Sequence, residues 1–196
     1  MELRIPGIEE WILLFHLFFL LPGIIGLTFI LMMAFAYQFV DNELPCALCV
    51  MQRMGLYAIS LGLVINLVRG RNQSNYLMMI LSAMINSWIS SLQVLLHIVP
   101  NSGGFGSSVF GLHMYTWNFI VSMIFIIYGC LGGLLHGNEN QKREKTIATH
   151  KIIIGVLFVT LLLNTLSVFI ECGPHLCPSD PQSYWLLDIF SGKSWS

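Results

Sequence analysis

The stretch "ELPCALCVMQRMG", residues 43–55, decides how this chain is read. It places two cysteines three residues apart, and an arginine four residues further on, at the point where one long apolar run gives way to another. The run that follows, 50–68, has the length of about 20 residues that a helix needs to cross a bilayer core. Runs of the same kind occur at 19–38, 77–99, 117–135 and 152–170. Between them lie "DNELP", "RGRNQSN", "PNSGGFGSS" and "HGNENQKREKT", which are polar or turn-forming. Five spans follow from this pattern.

Composition agrees. The 196 residues are 56% hydrophobic and only 10% charged, whereas a soluble domain carries about a quarter charged residues. The expected fold is an all-α integral membrane protein, a helical bundle of about five transmembrane helices forming one membrane domain over 1–196. With a formal charge of -1 and no basic stripe, the lipid bilayer is the expected partner and nucleic acid is not.

The first apolar run, from Trp11 to Val40, exceeds one span, and Pro22 with Gly23 is expected to interrupt it. Residues 8–18 then form an interfacial or tilted lead-in. "MMAFAYQ" contains an A-x-A-like site at Ala34 and Ala36. The apolar run is too long for a signal peptide, though, and the leader has one Arg against three Glu, so an anchor is the preferred reading.

Orientation comes from the cations. Arg4, Arg69, Arg71, Lys142, Arg143, Lys145 and Lys151 fall on one side of a five-span chain, which by the positive-inside rule is the cytoplasm. The N-terminus is then inside. An outer loop, 41–49, and a C-terminal tail, 171–196, lie outside, each with a cysteine pair: Cys46 and Cys49 in the loop, Cys172 and Cys177 in "ECGPHLCPSDP". That compartment lets disulfides persist. Cys130, in the fourth span roughly 20 Å of helical rise from its outer end, is read as a buried small hydrophobe.

C-x-x-C at a helix N-terminus suits redox chemistry, because the two thiols can close a small ring and the helix dipole favours their thiolates. Thiolate is the form that attacks a disulfide. Arg53 lies at i+4 from Cys49 and i+7 from Cys46, on the same helical face. An isolated arginine there would snorkel to lipid phosphate. Beside a dithiol it suits a membrane-soluble electron acceptor such as a quinone, whose arriving negative charge it can stabilise.

"LPCALCVMQR" resembles the catalytic loop of the bacterial DsbB disulfide-oxidase family, with Pro, C-x-x-C and Arg in register. "YQFV" before it and "GLHMYTW" at 111–117 also resemble family segments, over roughly Tyr37 to Leu135. The resemblance implies a DsbB-like four-helix core with one extra helix, in the bacterial inner membrane. It also implies an enzyme that reoxidises a periplasmic DsbA-like thioredoxin-fold oxidase and passes the electrons to a membrane quinone, ubiquinone or menaquinone. The best-known members carry their second cysteine pair between spans three and four. Here that loop, 100–116, has none, and Cys172 with Cys177 takes the role.

The catalytic candidates are thus Cys46, Cys49, Cys172 and Cys177. For the quinone they are Arg53, His97, where the family places a quinone-contacting histidine, and Gln93 one turn before it on the same face. His113 and Trp117 read as interfacial anchors that also come near the pocket. His175, between the tail cysteines, is either a thiolate partner or a solvated histidine, while His16, His136 and His150 read as structural or solvated. "YWLLDIF", 184–190, reads as an apolar patch lying on the outer surface, where it presents the tail disulfide to a soluble partner. Two other readings stand beside the oxidase. One is a structural or assembly protein braced by a tetrathiolate zinc site, which explains the cysteines but not Arg53. The other is a vitamin-K-epoxide-reductase-like enzyme, to which "PCALCVMQR" is the poorer fit.

Overall fold

The computed structural model describes residues 8–40, 43–70, 72–98, 104–106, 108–135, 148–175, 177–178 and 183–191, with side chains from Phe19 onward in the first helix and from His150 in the fifth. His16 and His136 lie outside the described side chains, as do most of the expected inter-span charges. Five helices are long and apolar enough to cross a membrane: α1 (Ile8–Val40), α2 (Ala47–Arg69), α3 (Gln73–Leu96), α4 (Met114–Leu135) and α5 (Ala148–Cys172). A short α6 (Trp185–Ser191) follows. The chain is a multi-pass, all-α membrane bundle, as its apolar runs predict.

Each helix buries one stripe. In α1 it is Leu20, Ile24, Leu27 and Leu31, a seven-residue repeat that keeps one face inward. It meets Leu56, Ile59, Leu63 and Leu67 of α2, Tyr76 and Met79 of α3, and Phe125 and Tyr128 of α4. The opposite faces stay apolar and uncovered, with Phe29, Trp88, Leu96 and Phe158 among the exposed side chains, because their solvent is lipid.

Lipid supplies no hydrophobic force between helices, so close approach has to come from small residues and polar pairing. A Cβ on Gly62 would run into Met79, on Gly129 into Ile80, and on Gly132 into Tyr76. Asn86 of α3 donates to Asn118 and Ser122 of α4 at 3.0 Å each, and Asn118 donates to Ser90 at 2.9 Å. Such bonds contribute about 0.6 kcal/mol apiece in a membrane. Together these contacts make α2, α3 and α4 the tight part of the bundle. The fifth helix leans mainly on α1.

Two expectations are corrected. Pro22 does not interrupt the first run: α1 continues through it as one helix. Bundle neighbours make a proline tolerable in a membrane helix, and here Phe125 and Leu63 close on Gly23 beside it. Cys130 is not buried either, but lies exposed on the outer face of α4, where a small apolar side chain needs no protein partner. The chain also forms a small hairpin within the loop between α3 and α4, β1 (Ser108–Val109) with β2 (Leu112–His113). Its turn residues Phe110 and Gly111 both have positive φ, 52° and 79°, as a type I′ turn requires.

Candidate functional site at one end of the bundle

Pro45 ends the extended segment before α2, and Cys46 becomes the helix N-cap, its sulfur accepting the Cys49 backbone N–H at 3.1 Å. Cys49 therefore stands in the first turn of α2 rather than ahead of it, and the two cysteines form a disulfide. They differ in access: Cys46 is buried, while Cys49 is half-buried. A helix N-terminus beneath a sulfur lowers the cost of a thiolate there.

Gln93 of α3 touches this disulfide directly. Its amide Nε2 lies 3.5 Å from both sulfurs, and its Oε1 accepts from Gln52 at 2.7 Å, which fixes which end of the amide faces the cysteines. His97, the C-cap of α3, donates from Nδ1 to the Gln93 carbonyl at 2.8 Å. Its ring stacks on Tyr115 at 5.4 Å, and His113 stacks on Tyr115 at 5.3 Å.

Cys49, Arg53, Gln52, Tyr37 and Tyr115 line one cavity of about 100 Å³. Tyr37, Leu56, Met114 and Asn118 also border an adjoining groove of about 260 Å³, walled by Phe29, Met33, Phe110 and Trp117. One end of this space is polar, next to a disulfide, and the other is apolar and faces the lipid. Of the residues expected at an electron-acceptor site, Arg53 is in the cavity wall. Gln93 lies against the sulfurs, and His97 one ring behind the wall. Trp117 lines the groove, donating to the Val109 carbonyl at 2.9 Å.

Arg53 reaches across the bundle. One terminal nitrogen donates to Gln38 Oε1 at 2.9 Å and to Asn164 Oδ1 at 3.1 Å, and the other donates to the Ala34 carbonyl at 2.9 Å. Gln38 in turn donates to Ser167 at 2.7 Å and to Glu171 Oε2 at 3.2 Å. Since Glu171 immediately precedes Cys172, this chain of contacts ties the C-terminal end of α5 to the N-terminal end of α2. Both cysteine pairs therefore occupy the same end of the bundle. Cys172 and Cys177 form the second disulfide, with Cys172 buried. Trp185 packs over Gly173, whose φ is 63°, and His175 sits against the same indole. Tyr184 interacts with Gln38 and Glu171, and burial pushes its phenol above the usual range. Helix α6 carries exposed Leu187, Ile189 and Phe190, a short apolar face beside the tail disulfide.

Pairwise disulfides leave the four cysteines ungathered. Among the described residues no group of three or more His, Cys, Asp or Glu side chains is placed to hold a metal ion. Sequence reading missed Gln38, Asn164, Ser167 and Glu171. The available signal was polarity inside apolar runs, since an ionisable residue within a span is a functional candidate by default.

Neither curated proteins nor solved structures provide a match to the chain. A family model described as "Disulfide bond formation protein DsbB" matches residues 16–106, which carry the first three spans, the Cys46–Cys49 disulfide, Arg53, Gln93 and His97. The match starts and ends earlier than the resemblance drawn from the motif, leaving α4, α5 and the tail disulfide outside it. Over that segment the chain is similar to the DsbB family, membrane proteins of disulfide bond formation.

Proposed function

We propose that this protein is a protein-disulfide:quinone oxidoreductase that takes electrons from a periplasmic DsbA-like thiol oxidase and delivers them to the membrane quinone pool. The observation that carries the reading is the shared cavity: Cys49 and Arg53 line the same space, and that space shares a wall with an apolar groove. A quinone, ubiquinone or menaquinone, has a polar head and a lipid-soluble tail, and the donor set fits both parts. When bound it supplies a two-electron oxidant.

The protein's own part begins at the tail. The partner's dithiol attacks the Cys172–Cys177 disulfide and leaves as a disulfide, so that two electrons now reside on the tail thiols. A tail thiolate then attacks the Cys46–Cys49 disulfide through a mixed disulfide, and the second tail thiol resolves it. The tail pair is oxidised again and the pair on α2 is reduced. Gln93 donates to the sulfurs as they become thiolates. Arg53 holds positive charge where electrons leave toward the acceptor. The exposed apolar face of α6 holds the tail at the outer membrane surface within reach of a soluble partner. In this reading the protein is in the bacterial inner membrane, the N-terminus is cytoplasmic, and the loop and C-terminal tail are periplasmic.

The test is a reconstitution. Purified, metal-free protein given a reduced DsbA-like partner should reduce a soluble quinone analogue with one quinol formed per partner disulfide. Partner oxidation without quinol, or activity that depends on added zinc, would contradict the reading.

A further inference from the structure

Glu171 is fully buried, and although its Oε2 accepts from Gln38, its Oε1 has no hydrogen-bond partner among the described residues. A carboxylate buried in this way is costly unless a nearby cation compensates it. Its electrostatic partner is Arg53, with Gln38 between them. Among the described residues the other titratable group facing it is Tyr184.

Gln38 has one orientation open to it. Its amide nitrogen is claimed by Ser167 and Glu171, which accept and do not need to donate, so its oxygen must point at Arg53. Arg53 in turn has five N–H donors, three of which are used on Gln38, Asn164 and Ala34 among the described residues. The remaining donors are those it has for the cavity beside Cys49. Two of the three holding contacts depend on α5, through Asn164 directly and Glu171 by way of Gln38.

We propose that Glu171 is a positioning residue for the electron-acceptor site: through Gln38 it supplies the counter-charge and the amide orientation that keep the Arg53 guanidinium beside Cys49. The fifth helix is thereby part of that site and not only an anchor for the tail disulfide. This rests on the quinone reading above. Without the carboxylate, the buried guanidinium has no compensating charge and turns toward another acceptor, away from the cavity.

A double-mutant cycle on the full-length protein in detergent, with a soluble quinone analogue as the probe, tests this. Glu171→Gln keeps size and an acceptor oxygen but removes the charge. It should raise the quinone KM about fivefold while leaving single-turnover oxidation of the reduced partner, measured without quinone, within about twofold of wild type. Glu171→Asp should recover part of the loss. In an Arg53→Met background Glu171→Gln should change nothing, because the residue it acts through is gone. An unchanged KM in folded Glu171→Gln, or the same fold-change with and without Arg53, overturns the proposal while the quinone reading stands. A wild-type protein that fails to reduce the analogue overturns both. Should Glu171→Gln not fold, Gln38→Met carries the test: a KM raised at least as much supports the relay, and an unchanged one overturns it.

Discussion

The two disulfides stand at opposite kinds of helix end. Cys46–Cys49 sits at the N-terminus of α2, with Cys46 as the cap and a backbone N–H on its sulfur, whereas Cys172–Cys177 closes the C-terminus of α5. Partial positive charge at an N-terminus stabilises a thiolate, and partial negative charge at a C-terminus disfavours it. A pair whose reduced form is stabilised is the stronger oxidant. Electrons should therefore run downhill from the tail pair to the pair on α2, the direction the proposed relay needs. Access does not separate the pairs, each having one buried and one half-buried cysteine; their surroundings do, an exposed apolar helix beside the tail disulfide and the cavity at Cys49.

The largest expected effect breaks the comparison outright. Cys46→Ala or Cys49→Ala should abolish quinone reduction to background, while the tail disulfide can still be reduced by the partner. Equal loss of both steps would mean the two pairs are not separable. Next comes Arg53→Met, for which the quinone KM should rise by about tenfold or more, with exchange between the cysteine pairs intact. Arg53→Lys should also be impaired, because a single ammonium cannot hold Gln38, Asn164 and Ala34 in three directions at once. A smaller effect falls on the α2 pair alone. Gln93→Leu removes the donor to both sulfurs and should slow attack on that disulfide about fivefold, the worth of roughly 1 kcal/mol of hydrogen bonding, without altering reduction of the tail. Stopped-flow single turnover separates the two. The smallest is His97→Ala, a loss of about twofold in quinone affinity passed on through Tyr115, read from the same KM titration as Arg53→Met.

The difference between the two halves of the molecule also explains what could be read in advance. Five spans were legible because a bilayer imposes a length and a polarity on each, and nothing else in the chain has both. Cys46, Cys49 and Arg53 were legible because they share one short helical segment, whose geometry the 3.6-residue repeat already fixes. Gln38, Asn164 and Glu171 were not, because they converge on Arg53 from two other helices, with up to 133 residues between them, and which faces meet is decided by packing. Pro22 misled for a related reason, since its usual effect on a helix is overridden by the helices around it. The hairpin at 108–113 lacks the Asn-Gly or Asp-Gly signal of its turn type, with Phe110 taking a left-handed conformation normally left to smaller residues.

Order of electron flow is the central claim, and trapping the covalent intermediate tests it most directly. Thiol exchange passes through a mixed disulfide, so a variant lacking the resolving cysteine should hold its partner covalently. Of Cys172→Ala and Cys177→Ala, one should accumulate an adduct with a DsbA-like partner that reducing agent dissolves, and neither Cys46→Ala nor Cys49→Ala should do so. An adduct formed through Cys46 or Cys49, with full turnover in both tail variants, would contradict the relay and leave Cys172–Cys177 a brace on the end of α5.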